Sequence, residues 1–206
     1  MKISACYITK NEERNIVRSL QSLADAVDEI IVVDTGSTDR TREIAEALGA
    51  RVLDFSWQDD FSAPRNSAVE AASGDWIVFL DADEWFVEPQ GVRSTIEAEI
   101  GAASDLEAMM LLRLNLDDQG KEFSRDRSLR IFRNAPWLRY HGKIHENVYS
   151  SRGRLRVSYP EVLVLKHDGY RGGMIEEKIE RNLSLMLKDI EENGHAERFY
   201  PGLTDC

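Results

Sequence analysis

Residues 74–85 read GDWIVFLDADEW, and this stretch decides the fold. Its centre, Trp76–Leu80, is strongly apolar, which is typical of a strand that is buried on both faces of a parallel sheet. The strand ends at two carboxylates, Asp81 and Asp83, with the small Ala82 between them. Ligands of doubly wound sheets bind at the carboxyl ends of the strands, so we expect these acids to face a binding crevice.

The chain before residue 74 alternates short apolar runs with segments of helical spacing. The predicted strands are Ile3–Ile8, Glu29–Asp34 and Arg51–Phe55, and the predicted helices are Asn11–Val27, Thr41–Leu48 and Ser62–Ala72. With the strand at residue 76, the order is β-α-β-α-β-α-β. This order predicts an α/β fold with a mostly parallel central sheet and helices on both faces.

The pattern changes after Pro89. A helix over about Gln90–Ile100 is followed by predicted strands at Ala108–Leu116, Ser128–Phe132 and Val162–Lys166, and by an amphipathic helix over Ile175–Glu192 with apolar positions at Ile175, Ile179, Leu183, Met186/Leu187 and Ile190. We predict one domain over residues 1–206. It comprises a nucleotide-binding half (1–100), a metal and acceptor half (101–170) and a C-terminal helical segment (171–206).

Charge is distributed unevenly along the chain. The 206 residues carry a formal net charge of −11, and residues 1–100 account for all of it because residues 101–206 sum to zero. Segment 121–171 has a net charge of +7. The asymmetry argues against a uniformly basic nucleic-acid-binding protein. It indicates instead a cation and a polyanion held between an acidic half and a basic half.

Composition also bears on the compartment. Cys6 and Cys206 lie at opposite ends of the chain and fit no disulfide or metal-site spacing, which indicates a reducing environment. No apolar run approaches the ~18 residues of a membrane span, and no signal peptide is expected from the first residues. We therefore expect a cytoplasmic protein, with peripheral binding at the inner face of the membrane as the alternative.

The paired acids predict a divalent cation. Two carboxylates two residues apart repel each other at the end of a buried strand unless a hard cation joins them. Mn²⁺ or Mg²⁺ would bind their oxygen atoms and keep positions for substrate phosphates. The alternative is an acidic turn in which Glu84 caps a helix.

Several motifs, in their order and spacing, resemble those of a known protein family. They are Ala5–Ile16, Ile30–Thr41, Trp57–Asn66, Gly74–Trp85, Arg130–Arg133, His145-Glu146 and His167–Tyr170. Together they resemble family 2 nucleotide-sugar glycosyltransferases of the GT-A fold, in the bacterial branch of lipopolysaccharide-core β-glucosyltransferases and SunS-like peptide glycosyltransferases. The resemblance implies a Rossmann-like fold and an inverting transfer of a sugar from a nucleoside diphosphate donor, usually with Mn²⁺ or Mg²⁺.

The resemblance implies roles for the matching residues of the first half. Thr9 and Glu12 would line the nucleoside pocket, and Asp34 would hold the base or the ribose. Arg65 and Asn66 would lie against the nucleotide at the start of a helix. The residue types agree, because carboxylate oxygens accept from imino and hydroxyl groups and a guanidinium matches a phosphate. A salt bridge from Arg65 to one of the acids at positions 59 and 60 is the alternative.

Further roles concern the cation. By resemblance, Asp81 and Ala82 would lie near the ribose and the metal, and Asp83 would bind the metal directly. His167 follows an apolar strand and is predicted to be a further metal ligand, because imidazole suits Mn²⁺. A diphosphate contact or a purely structural role is the alternative for His167.

An inverting transfer needs one carboxylate that takes the proton of the acceptor. Glu146 is the predicted base, and the alternative is a surface ion pair with Arg139 or Lys143. His145 and Trp85 are predicted acceptor or diphosphate contacts. The aromatic face of Trp85 could stack on a sugar ring.

The predicted function is transfer of glucose or an N-acetylhexosamine from a nucleoside diphosphate sugar, with UDP favoured by family frequency. The acceptor would be a glycan, a lipid-linked molecule or a peptide. The alternatives are a sugar nucleotidyltransferase and a noncatalytic nucleotide-sugar-binding module. A homodimer, and a longer protein of which this chain is the catalytic piece, are further expectations from related proteins.

Overall fold

A computed structural model describes residues 1–169 and 182–188. The strands are β1 (Ile3–Thr9), β2 (Glu29–Asp34), β3 (Arg51–Asp54), β4 (Trp76–Phe79), β5 (Glu84–Phe86), β6 (Ala108–Leu116), β7 (Glu122–Arg133), β8 (Leu138–His141), β9 (Asn147–Ser150), β10 (Val157–Ser158) and β11 (Val164–His167). The helices are α1 (Ile16–Gln21), α2 (Thr41–Ala47), α3 (Ser62–Ala71) and α4 (Val92–Ala102). Residues 182–188 are also helical. None of the helices in these two ranges has the length and apolar character needed to cross a bilayer.

One large sheet organises the domain, with strand order β3-β2-β1-β4-β7-β6-β11-β5 and β10 beside β6. The first four strands in this order are parallel, as the alternating pattern predicted. Antiparallel β7 then joins the two halves of the chain by pairing with both β4 and β6. A separate hairpin, β8-β9, lies outside the sheet.

Helices cover both faces of the sheet, as expected. Alternate side chains of β1 point to opposite sides: Ile3, Ala5 and Tyr7 pack in one buried cluster with α1, α2 and α4, and Cys6 packs in another with α3 and the β8-β9 hairpin. This division follows from the period of two of a β-strand. The α/β prediction is confirmed.

The predicted helix Asn11–Val27 is wrong in length, because α1 spans only six residues. Asn11 has a φ of 58°, and its backbone N–H donates to the Ser37 hydroxyl at 2.9 Å. The Glu12 backbone N–H donates to the Thr41 hydroxyl at 2.7 Å. The positive φ takes Asn11 out of a right-handed helix, and the two bonds hold the residues before α1 against the turn after β2 and the start of α2.

The segment after β4 also differs from the prediction. Glu84 does not cap a helix: it begins strand β5, which runs antiparallel to β11, and it is completely buried. The predicted return strand Ser128–Phe132 is part of the twelve-residue β7. The sequence analysis missed β5, β8, β9 and β10, which have two to four residues each.

The predicted helix Ile175–Glu192 lies mostly outside the described residues. The predicted apolar face is only partly correct where the structure describes it. Leu183 and Leu187 are 55% and 53% exposed, the predicted position Met186 is half-buried, and Leu185, which was not predicted, is buried. Leu185 and Met186 pack with Ile144 and with the aromatic side chains of residues 57 and 61. This contact, and not the periodicity, selects the buried face.

Gly74 is a position at which the fold tolerates no side chain. A Cβ there would lie less than 3.0 Å from the Ser4 hydroxyl and 2.8 Å from the Ser4 backbone nitrogen, inside strand β1. We expect Gly74→Ala to lower the free energy of unfolding by about 1–3 kcal/mol, the usual cost of overpacking. Urea titration followed by circular dichroism measures this change.

Gly101→Ala is the matched control. Gly101 lies on α4, and a Cβ there would meet nothing within 4 Å. The exchange should be neutral or stabilising by up to about 1 kcal/mol, because alanine favours a helix over glycine. Equal urea midpoints for Gly74→Ala and the unsubstituted protein would contradict the packing argument.

Candidate active site

A cavity of about 530 Å³ opens where β1, β2 and β4 end. Parallel strands deliver their carboxyl ends to one edge of the sheet, so the predicted strand-end clusters converge there. Nine residues that the sequence singled out line this cavity: Thr9, Glu12, Arg65, Asp81, Ala82, Asp83, His145, Glu146 and His167.

Asp81 is held by two arginines. Its Oδ1 accepts from Arg65 Nη2 at 2.8 Å, and its Oδ2 accepts from Arg130 Nη2 at 2.7 Å. Burial alone would raise the pKa of Asp81, but the guanidinium groups of Arg130 and Arg65 hold it well below its usual range. Asp81 is therefore an anion whose two oxygens the protein itself engages.

Glu84 adds a fully buried carboxylate beside the half-buried Asp81. It accepts from Arg130 at 2.6 Å and from Arg113 at 3.0 Å. Arg113 in turn forms a two-pronged ion pair with Asp126, with both N···O distances at 3.0 Å. The arginines of β6 and β7 thus neutralise acids that the first half of the chain supplies.

Arg65 also holds the predicted base. Its Nε donates to Glu146 Oε1 at 2.6 Å, and the side chains of Arg65 and Glu146 are only 7% and 11% exposed. The guanidinium carbon lies 4.8 Å from the centre of the Phe79 ring and 5.4 Å from that of Tyr140, in reach of cation–π attraction. Neither Arg65 nor Glu146 forms the surface ion pair that the sequence left as its alternative.

The acids at positions 59 and 60 have other partners. Asp60 accepts from the backbone and hydroxyl of Ser62 at 2.7 Å, so it holds the start of α3. Asp59 pairs with Lys188 at 2.5 Å. Together with the aromatic pair Trp57 and Phe61, this contact brings the helical residues 182–188 to one side of the cavity.

His167 lies beside Asp83, with 3.5 Å between His167 Nε2 and Asp83 Oδ2. On its other side, His167 Nδ1 lies 2.8 Å from Asn115 Oδ1. Asn115 donates its amide nitrogen to the Asp126 carboxylate and the Ser124 hydroxyl, each at 3.1 Å. Those acceptors orient the amide so that its oxygen takes the proton of Nδ1, which leaves Nε2 directed at Asp83.

The charge state of His167 depends on this surrounding. Burial alone would lower the pKa of His167, but the hydrogen bond and the charge of Asp83 outweigh it, and the net shift is upward. In the neutral ring the Nε2 lone pair faces the carboxylate. A divalent cation bound to both atoms would replace the proton that otherwise joins them.

The donor set at this point fits a divalent cation that shares its coordination with a substrate. Within residues 1–169 and 182–188, no group of three or more His, Cys, Asp or Glu side chains is arranged to hold a metal ion. Asp83 and His167 supply one oxygen and one nitrogen. Mg²⁺ and similar ions are commonly held by one or two protein groups, with water and phosphate oxygens completing the shell.

Three predicted residues within the described chain lie outside the cavity lining, and Asp34 is the first. Its carboxylate accepts from Thr9 Oγ1 at 3.1 Å, from the backbone N–H groups of Gly36 and Ser37 at 3.1 and 2.9 Å, and from the Ser37 hydroxyl at 2.5 Å. These bonds shape the turn that places Thr35 in the lining. Its role toward a base or ribose stays a prediction.

Asn66 is the second. Its side-chain amide donates to the Tyr140 carbonyl and accepts from the Tyr140 N–H, both at 2.9 Å. The pair fastens hairpin strand β8 to α3 and so fixes the loop that carries Glu146. Asn66 therefore lies outside the cavity lining and helps to position the loop that carries Glu146.

Trp85 is the third. The guanidinium carbon of Arg18 lies 3.4 Å from the centre of the Trp85 ring, and Arg18 also pairs with Asp168 at 2.6 Å. The aromatic face that the sequence assigned to a sugar ring is thus covered by a cation of α1. The structure does not bring Trp85 to the cavity.

Sequence reasoning assigned no role to Arg113, Asn115 and Arg130. A signal existed for each of them. Arg113 and Asn115 interrupt the apolar strand β6, where an unpaired polar group would be costly. Arg130 belongs to one of the motifs on which the family resemblance depends, but its role there was not inferred.

Comparison with known families gives an independent result. The family model described as "Glycosyl transferase family 2" matches residues 4–159. A TPR repeat-containing protein of Synechococcus elongatus is 36% identical over 209 residues, which cover 94% of this chain and 50% of that protein. The SPbeta prophage-derived glycosyltransferase SunS of Bacillus subtilis is 29% identical over 198 residues, or 93% of this chain and 46% of SunS. The chain spans about half the length of the curated relatives it matches.

A solved structure agrees in fold. The crystal structure of Staphylococcus aureus TarS 1–349 in complex with UDP-GlcNAc has a TM-score of 0.63 and 19% sequence identity, and the match covers 92% of this chain and 67% of that one. The likeness confirms the predicted fold class.

Arg130 tests whether the buried ion pairs hold the two halves of the domain together. We expect Arg130→Met to lower the free energy of unfolding at neutral pH by about 3–5 kcal/mol, because it leaves the buried Glu84 and the half-buried Asp81 short of countercharge. The control on the same strand is Arg127→Met, since Arg127 pairs with Glu161, whose side chain is 73% exposed. That exchange should cost about 0–1 kcal/mol.

The unsubstituted protein and the Arg130→Met variant also allow a test of the pH dependence of stability. Because the folded-state pKa of Asp81 is depressed, its ion pairs contribute their full stability above the unfolded-state pKa of about 3.9. That contribution is lost as the pH falls through the lower folded-state pKa. Urea midpoints between pH 7 and pH 3 should show the unsubstituted protein and Arg130→Met converging. A difference that is constant with pH would argue against the ion-pair explanation.

Proposed function

The chain belongs to glycosyl transferase family 2, and from that premise we propose that it transfers a hexose from a nucleoside diphosphate sugar in a metal-dependent, inverting reaction. One observation carries the proposal. A single cavity at the strand ends holds both the Asp83–His167 pair, which suits a cation, and Glu146, which suits a base. The deprotonating group and the groups that would receive the diphosphate thus share one space.

We propose a UDP-linked donor. TarS, which shares the fold, was crystallised with UDP-GlcNAc, and N-acetylglucosamine and glucose are the sugars we favour here. The nucleoside would lie against Thr9, Glu12 and Thr35, which line the cavity at the ends of β1 and β2. The hydrogen bonds of Asp34 keep that wall rigid before the donor arrives.

Asp83 and His167 would hold the cation, Mn²⁺ or Mg²⁺. When bound, such an ion stabilises the negative charge that develops on a departing diphosphate. Arg113 and Arg130 line the same cavity, and their positive charge is balanced by the half-buried Asp81 and the buried Glu84. The site therefore presents fixed cationic groups without a large excess of positive charge.

Glu146 would act as the base. In this proposal the oxygen of an acceptor hydroxyl bonds to the anomeric carbon while the hydroxyl proton passes to Glu146 Oε2. At the same time the bond from the anomeric carbon to the phosphate oxygen breaks. One displacement inverts the configuration. Arg65 holds Glu146 Oε1 at 2.6 Å and so fixes the direction of the carboxylate.

The acceptor is proposed only as a class: a glycan, a lipid-linked molecule or a peptide. Two alternative functions can be distinguished by experiment. A sugar nucleotidyltransferase would make a nucleoside diphosphate sugar and pyrophosphate from a nucleoside triphosphate and a sugar phosphate. A noncatalytic module would bind UDP-sugar without turning it over. The absence of a glycine from residues 9–12, after the first strand, disfavours the triphosphate site.

The first test measures the release of UDP from UDP-glucose and from UDP-N-acetylglucosamine in the presence of Mn²⁺. Water or an added molecule serves as the acceptor of the sugar. We expect Asp83→Asn to lower the rate by about 100-fold or more, because it removes a direct ligand of the ion. Asp105→Asn is the control, since the Asp105 side chain is 68% exposed and pairs with Arg156 at 3.7 Å. Full turnover by Asp83→Asn would overturn the metal assignment.

The second test separates the base from binding. We expect Glu146→Gln to lower the turnover rate by about 10²–10⁴-fold, the range for loss of a general base, while UDP binding by calorimetry is retained. The control is Glu161→Gln on the surface. Unchanged turnover by Glu146→Gln would assign the base elsewhere. NMR of the transferred sugar should show the anomer opposite to that of the donor.

A further inference from the structure

Gly169 follows β11 by two residues and faces the candidate metal ligands. Its φ lies outside the left-handed range, so its backbone conformation does not call for glycine. What distinguishes the position is space. A Cβ at residue 169 would have Asp83 Oδ2 and His167 Nε2 as its two nearest neighbours, equally distant and both closer than 3.0 Å.

Those two atoms are the donors proposed to hold the cation, and they lie 3.5 Å apart. A divalent cation held by both atoms would have to lie in contact with each of them. A Cβ at residue 169 would also lie against both atoms, within 3.0 Å of each. A side chain and a cation would therefore compete for the same volume.

We propose that Gly169 is a positioning residue for the metal site, because its lack of a side chain keeps the space between Asp83 Oδ2 and His167 Nε2 open for a divalent cation. This inference rests on the metal dependence in the proposed function. It adds to the site a residue to which the sequence analysis assigned no role.

The backbone at this point is fixed, so it cannot easily move away from the donors. The Asp168 N–H donates to the Asp83 carbonyl at 3.2 Å, and the Asp168 side chain pairs with Arg18 at 2.6 Å. The bond to Asn115 at 2.8 Å restrains the His167 ring from the other side. An added Cβ would therefore displace the ends of the two ligand side chains.

Gly74 shows the opposite case. There a Cβ would meet the Ser4 backbone, and relief requires movement of a central strand. At Gly169 the three nearest atoms all belong to the side chains of Asp83 and His167. We expect Gly169→Ala to fold and to lose the cation, since only side-chain ends must move.

The experiment measures the dissociation constant of UDP by calorimetry, once with Mn²⁺ and once with EDTA. In the unsubstituted protein we expect Mn²⁺ to tighten UDP binding by about 10-fold or more, which is a common size for coupling between two ligands. In Gly169→Ala the ratio should fall to within about 2-fold of unity, while the constant in EDTA stays within about 3-fold. Gly101→Ala should keep the full ratio.

Each outcome decides a different point. If Mn²⁺ does not tighten UDP binding by the unsubstituted protein, the metal dependence of the proposed function and this inference are both overturned. If it does so equally in Gly169→Ala, this inference alone is overturned. Should Gly169→Ala not fold, Asp83→Ala/His167→Ala/Gly169→Ala, which removes all three atoms that the Cβ would meet, decides the matter. Recovered folding supports the overlap of the Cβ with the two ligand side chains, and no recovery overturns it.

Discussion

The ion pairs of Asp81 with Arg65 and Arg130 are the constraint on which the rest of the site depends. Asp81 follows β4 in the first half of the chain, and Arg130 lies on β7 in the second half. Two ions taken out of water lose several kcal/mol of hydration each, which good geometry and further hydrogen bonds must offset. The protein meets this demand with a continuous network of contacts: Glu146, Arg65, Asp81, Arg130, Glu84, Arg113, Asp126, Asn115, His167 and Asp83. The proposed base and the proposed metal ligands are its two ends.

The network also explains the uneven charge of the chain. The net charge of −11 in residues 1–100 and of +7 in segment 121–171 meet at the cavity, where Arg130 binds two acids of the first half. Other arginines of the segment pair at the surface, as Arg127 does with Glu161 and Arg125 with Glu122. The asymmetry therefore reflects both the site and ordinary solvated pairs.

Sequence reasoning succeeded where one local pattern determines the outcome. The continuous apolar run of residues 76–80 predicts β4. The position of Asp83 just after this run predicts that its side chain faces the cavity. It failed where distant contacts decide. Asn11 has a φ of 58° and lies with Glu12 against the turn after β2 and the start of α2, and the helix begins only at Ile16. Arg18 covers Trp85 because α1 packs beside β5 and the end of β11. The spacing of residues in the sequence does not predict this contact.

The two ends of the network are held in different ways, and the difference bears on how substitutions will combine. Glu146 is oriented by a charged partner, Arg65, whereas His167 is oriented by the neutral amide of Asn115. Loss of Arg65 would free Glu146 and at the same time remove one of the two cations on Asp81, whose ion pairs fasten β4 to β7. Loss of Asn115 would free the imidazole ring and also remove the amide donor to Asp126 and Ser124. Effects within the charged part should therefore be strongly non-additive, because its members share partners, while the amide end should couple to it more weakly, through the Asp126 that it shares with Arg113.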